Sequence, residues 1–138
     1  MKEETTPTTV KDDEWLARFI LFRKWIRSSD QTLRPDAFIP YPLPNLSVTR
    51  HLELTPIEIL EIGQAIADQR GTKLLGRGDV QASIPRGQML QIEAAPIEGN
   101  LNHANINGWP TDKPAQKMIA QEIAARASFV AMPVDTGD

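Results

Sequence analysis

Imidazole chemistry in this chain rests on two residues, His51 in Arg50-His51-Leu52-Glu53 and His103 in Asn102-His103-Ala104-Asn105. On neighbouring strands, two histidines can act as general acid and base at a phosphodiester. Arg50 and Arg77 would then hold the phosphate, with His103 moving the proton. Phosphoesterases of that kind carry His-x-Thr or His-x-Ser twice, whereas the third positions here are Glu53 and Asn105. Ordinary half-exposed strand histidines are therefore the simpler reading. Joining His51 and His103 to Glu53 does not make a metal centre either, because no His-Glu-x-x-His spacing occurs. No metal and no cofactor is expected.

Three other stretches carry chemistry-capable residues. Gly76-Arg77-Gly78-Asp79 could cradle a phosphate on backbone N–H groups. It lacks the Walker spacing and a following helix, so a turn closed by an Arg77–Asp79 pair is expected instead. The run Asn100 to Pro110 sets Asn102, Asn105 and Asn107 among His103, Ile106 and Trp109. These amides and the indole could bind a ligand or a partner's backbone. The competing reading has the asparagines satisfying local turns while Trp109 plugs the core beneath the last helix. Arg18, Arg23, Lys24 and Arg27 interleave with Trp15 and Trp25, a mixture that can hold single-stranded nucleic acid. A solvated basic face over an aromatic stripe explains the same spacing.

Composition narrows the classes. The chain has 138 residues, 41% of them hydrophobic, enough for one modest core. It has no cysteine, which removes disulfides, thiolate metal sites and cysteine nucleophiles, and favours a reducing compartment. With no signal-like apolar region and no apolar run near the roughly 18 residues that span a bilayer, a soluble cytoplasmic protein away from membranes is expected. The net charge of −3 is uneven. Five acids against Lys2 and Lys11 make residues 1–14 acidic, while residues 15–50 hold six basic side chains against Asp30 and Asp36. That suits an anionic partner but falls short of a dedicated DNA-binding stripe.

The elements that must position these residues follow from periodicity. Residues 1–13 and 132–138 lack apolar pattern and read as a disordered acidic arm and a flexible tail around one domain, 14–131. Trp15, Phe19, Phe22 and Ile26 favour a helix over 14–27, although the aromatic and β-branched content leaves a strand open. Pro35, Pro40, Pro42 and Pro44 impose an extended connection. Leu46 to Leu54 alternates as a strand, placing Arg50 among apolar neighbours, where burial would require a carboxylate or a ligand. Thr55-Pro56-Ile57-Glu58 is a capping box opening a helix over 56–70. Short strands are expected at 73–75, 80–84, 89–94 and 104–107, with turns at Gly76, Gly78 and Pro85-Arg86-Gly87. Thr111 or Asp112 caps a last helix ending near Ser128. The sum is an α+β domain with a short-stranded antiparallel or mixed sheet and two to three helices.

No nucleophile elbow and no carboxylate pair flags a hydrolase. The leading expectation is a non-catalytic accessory or interaction module acting within a larger assembly, of the size and composition of small bacterial proteins encoded beside larger partners. Its surface would be Asn102, His103, Asn105, Asn107 and Trp109, and its partner another protein. The alternatives are an RNA- or nucleotide-phosphate-processing enzyme using His103, Arg50, Arg77 and His51, and a nucleic-acid-binding accessory using the basic segment 15–50.

Overall fold

The computed structural model describes residues 7–41 and 44–133, so Pro42, Leu43 and the ends 1–6 and 134–138 lie outside the described residues. Six strands form one antiparallel sheet: β1 Trp15–Ile20, β2 Leu46–Arg50, β3 Gly76–Gln81, β4 Gln91–Ala94, β5 His103–Asn107 and β6 Ser128–Ala131. Their spatial order is β4-β5-β2-β1-β3-β6, which puts the first strand at the centre. Helix α1, Pro56–Gln69, lies on one face; α2, Ser83–Gly87, α3, Lys113–Arg126, and a 3-10 turn at Pro35–Phe38 lie on the other. The expected α+β class thus takes its antiparallel form with three helices.

Within residues 14–27, where periodicity favours a helix and leaves a strand open, Trp15–Ile20 is a strand and no α-helix forms. β1 is buried on both faces: Leu16 and Ile20 enter the core under α3, while Ala17 and Phe19 meet Ile59 and Ala67 of α1. A central strand loses the alternation that betrays edge strands, and its continuous apolar run imitated a helical stripe. The chain then turns through a 3-10 segment at Arg23–Trp25.

The second correction concerns Gly76 and Gly78, expected in a turn and found inside β3. Both point at the α3 side, where bulk is excluded. A Cβ on Gly78 would sit 2.5 Å from Leu33 Cδ1 and 3.1 Å from Phe38 Cζ. Gly78 is a socket for Leu33 and Phe38, and Gly76 makes room for Phe129 and the β6 backbone, one of the uses of glycine within a strand. Strand β2 ends at Arg50 rather than Leu54, because Leu52 takes φ 40° to swing the chain toward α1.

The arm expected to be disordered through residue 13 is, from Pro7 onward, laid against the domain. Val10 is buried in the larger core. The Arg86 guanidinium donates to Val10 O at 2.6 Å and Asp12 Oδ1 at 2.7 Å. Ala82 N and Ser83 N donate to Glu14 O and Asp12 O. Acidic composition suggested solvation, but the basic partner Arg86, 74 residues beyond Asp12, was invisible locally.

Helix α1 starts as its sequence dictates. Glu58 N donates to Thr55 Oγ1 at 3.2 Å and Thr55 N donates to Glu58 Oε1 at 2.8 Å, the two halves of a capping box. Thr55→Ala is expected to lower stability by about 1 kcal/mol, read as a shift of the urea midpoint with unchanged slope. Asp112 caps α3 by accepting from Ala115 N at 2.9 Å. That helix ends at Arg126 and runs directly into β6, which pairs with β3.

Candidate functional site

Strand register decides which candidate residues can meet. Leu16 pairs with Arg50 and Ala17 with Thr49, which in turn pairs with His103. Ala17 also pairs with Asp79, so Asp79 and Arg77 share the α1 face with Thr49 and His103. Arg50 points to the opposite face. The trio of His103, Arg50 and Arg77 is therefore not gathered at one place, and each member has its own surroundings.

Arg50 is fully buried and its partner is a carboxylate. It donates from Nε to Glu14 Oε1 and from Nη2 to Glu14 Oε2, both at 2.8 Å, and further to the carbonyls of Pro7 and Thr9. Every donor face of the guanidinium is turned into the fold. On the other face, Arg77 Nε approaches both oxygens of Asp79 at 3.0 and 3.1 Å, and His51 Nε2 lies 3.1 Å from Asp79 Oδ1. The Arg77–Asp79 pair is present, though along a strand rather than across a turn. Asp79 ties His51 to Arg77, and no hydroxyl or second imidazole joins them through the hydrogen bonds of the described residues.

The asparagine-rich segment divides. Asn102 Nδ2 donates to Arg50 O at 2.8 Å, and Asn107 Nδ2 to Glu93 Oε1 at 2.6 Å. Buried Asn100 donates to Thr49 Oγ1 at 2.9 Å. Trp109 packs on the core and donates from Nε1 to Ile106 O at 2.9 Å. Asn102 and Trp109 thus hold the fold locally, while His103, Asn105 and Asn107 stand in a row along one half-exposed face of β5. The His103 ring places Nδ1 2.8 Å from Ala95 O. A carbonyl only accepts, so Nδ1 carries the proton and a neutral ring presents Nε2 as an acceptor.

The basic segment is also split. Arg23 and Lys24 are exposed, and Arg27 donates to Leu33 O at 2.9 Å. Arg18 turns inward, donating from Nε to Ala37 O at 2.8 Å and from Nη1 to Ser47 O at 3.2 Å, with Cζ 5.2 Å from the Trp25 ring centroid. Burial, with Arg70 nearby, pulls Arg18 down to about 10, so it remains a cation at neutral pH. Arg18 lines a cleft of about 220 Å³ with Trp25, Ser47, Thr49, Arg70 and His103. Sequence pattern had not singled out Arg70 or Glu14 as site residues, whereas the Arg77–Asp79 pair was expected. Once β1 is read as a strand, Arg18 alternates with Leu16 and Ile20, the same signal that marked Arg50.

A second cavity, of about 230 Å³, opens between the start of α1 and β6, with Leu60, Leu74, Val130 and Met132 among its walls. Among the described residues no three or more His, Asp or Glu side chains are placed to hold a metal, and no helix is long and apolar enough to cross a membrane. Comparison with protein-family models, with curated proteins and with solved structures finds no significant match for this chain.

Proposed function

We propose that the domain is a non-catalytic interaction module that holds another protein within a larger assembly, through the polar sheet face centred on Asn105. One observation carries this reading. On the α1 side, β2, β5 and β4 present Ser47, Thr49, His103, Asn105, Asn107 and Glu93, polar without exception. The apolar cluster beneath α1 draws on β1 and the segments around it, and on none of these three strands. Their opposite face is apolar apart from buried Arg50, with Leu46, Val48, Ala104, Ile106 and Ile92 in the core. An antiparallel sheet can keep one face in water, and here that face is rich in amides that can donate and accept. Ser47, Asn105 and Glu93 form one row across three strands.

The dispersion of His103, Arg50 and Arg77 supports a binding role over the phosphate-processing one. The lack of cysteine supports a cytoplasmic setting. In native mass spectrometry of protein isolated at low salt from its host, a second protein is expected at fixed stoichiometry. Asn105→Lys is expected to weaken that complex about tenfold or more without changing the melting temperature. Retention of the partner at undiminished affinity by Asn105→Lys would remove this surface. A bare protein that turns over a phosphate substrate would remove the reading itself.

A further inference from the structure

We propose that the cleft between β1 and β2 is a binding site for a small aromatic phosphate monoester, held by Arg18 and Arg70 and bordered by His103. The site exists because the sheet opens there. Strands β1 and β3 pair along their whole length, from Trp15–Gln81 to Ile20–Gly76, and β2 pairs with β5 from Leu46 to Thr49. Between β1 and β2 only Leu16–Arg50 and Ala17–Thr49 are joined. Beyond Ala17 the two strands part, and the Arg18 guanidinium fills the gap by donating to Ser47 O and Ala37 O.

Those partners are neutral. Arg50, Arg77 and Arg86 each have a carboxylate within ion-pair distance, at 2.8, 3.0 and 2.7 Å. Among the described residues Arg18 and Arg70 have none, and the lining of the cleft contains no acid. Two arginines brought to one partly enclosed space without a counter-charge repel each other, an arrangement that an entering anion relieves. Burial first, and then the charge of Arg70, leave Arg18 holding its proton less firmly than usual.

The donor geometry selects the anion. A planar carboxylate is satisfied by one guanidinium fork, which would leave the second arginine uncompensated. Arg18 comes from β1, Arg70 from the end of α1 and His103 from β5. Guanidinium groups from two elements suit a tetrahedral dianion with three terminal oxygens, and the His103 ring lies at the border of the site. The rest of the wall is apolar, with Leu21, Trp25, Ile66 and Ile97, and accepts a ring against Trp25. A volume of about 220 Å³ limits the ligand to a small one.

Phenyl phosphate is the probe, titrated into the full chain by calorimetry, with inorganic phosphate and benzoate beside it. The expected order is phenyl phosphate tightest, inorganic phosphate weaker and benzoate weakest. Arg70 is exposed, so Arg70→Glu is expected to keep the fold and the melting temperature while weakening phenyl phosphate tenfold or more. Absence of binding at millimolar phenyl phosphate overturns the proposal, as does undiminished binding by Arg70→Glu. Benzoate binding as tightly as phenyl phosphate overturns the assignment of the anion. The polar face around Asn105 is tested by a different variant and a different ligand, so either idea can fail alone.

Discussion

Glu14→Ala is expected to cost about 3–5 kcal/mol of folding stability, the range for stripping one partner from a buried ion pair. The Arg50 side chain is 0% exposed and that of Glu14 9%. Without the carboxylate, the guanidinium keeps only the carbonyls of Pro7 and Thr9. The double variant Glu14→Ala/Arg50→Met is expected to regain much of the loss, since it removes the stranded charge and leaves an apolar chain among Leu16, Val48 and Val80. Urea midpoints of the wild type, both single variants and the double variant close the cycle. A Glu14→Ala loss under 1 kcal/mol would mean that the guanidinium reaches water instead.

The same pair sets a pH dependence. Burial by itself raises the Glu14 pKa. The hydrogen bond and charge of Arg50, the Lys11 N–H and the charge of Arg86 outweigh burial and hold the carboxyl below its ordinary value. A depressed carboxyl contributes stability above the unfolded-state pKa and loses it as pH falls through the folded-state pKa. Stability of the wild type is therefore expected to fall on acidification below the ordinary carboxylate range. Glu14→Gln is expected to flatten that portion of the curve, and an unchanged slope would assign acid sensitivity to other groups.

Phe38→Ala is the second large effect, expected at about 3–5 kcal/mol. Phe38 is fully buried between α3 and the sheet, resting on Gly78. Gly78→Ala is expected to cost about 1–3 kcal/mol by overpacking, because its new methyl would overlap the Leu33 and Phe38 side chains. Joined in one chain, the two changes are expected to cost less than their sum, since the space left by the ring admits the methyl. Strict additivity in denaturant titrations would place Phe38 away from Gly78.

Legibility in the sequence tracked how local each determinant is. The capping box at Thr55–Glu58 and the alternation of Leu46, Val48 and Arg50 involve residues within a few positions, and both the start of α1 and the inward direction of Arg50 could be read. The partner of Arg50 could not, because Glu14 lies 36 residues earlier in a stretch whose composition reads as solvated. β1 was obscured by its central position, since burial on both faces erases the period of two. Gly76 and Gly78 signalled punctuation, and only the facing Leu33, Phe38 and Phe129 reveal them as sockets. The cleft at Arg18 depends on a ladder that stops after two pairs, a property of register that no single-strand pattern encodes.

The order β4-β5-β2-β1-β3-β6 also shapes how the chain reaches this state during synthesis. Growth runs outward from the strand made first, yet β1 finds its partner at Gln81 only after most of the intervening chain exists. Such long-range pairing slows folding. A ribosome releasing this polypeptide leaves β1 with only its two-residue pairing to β2 until β3 emerges, while α1 can form in the interval. The interval between those events is the period in which the nascent protein most needs shielding from its neighbours.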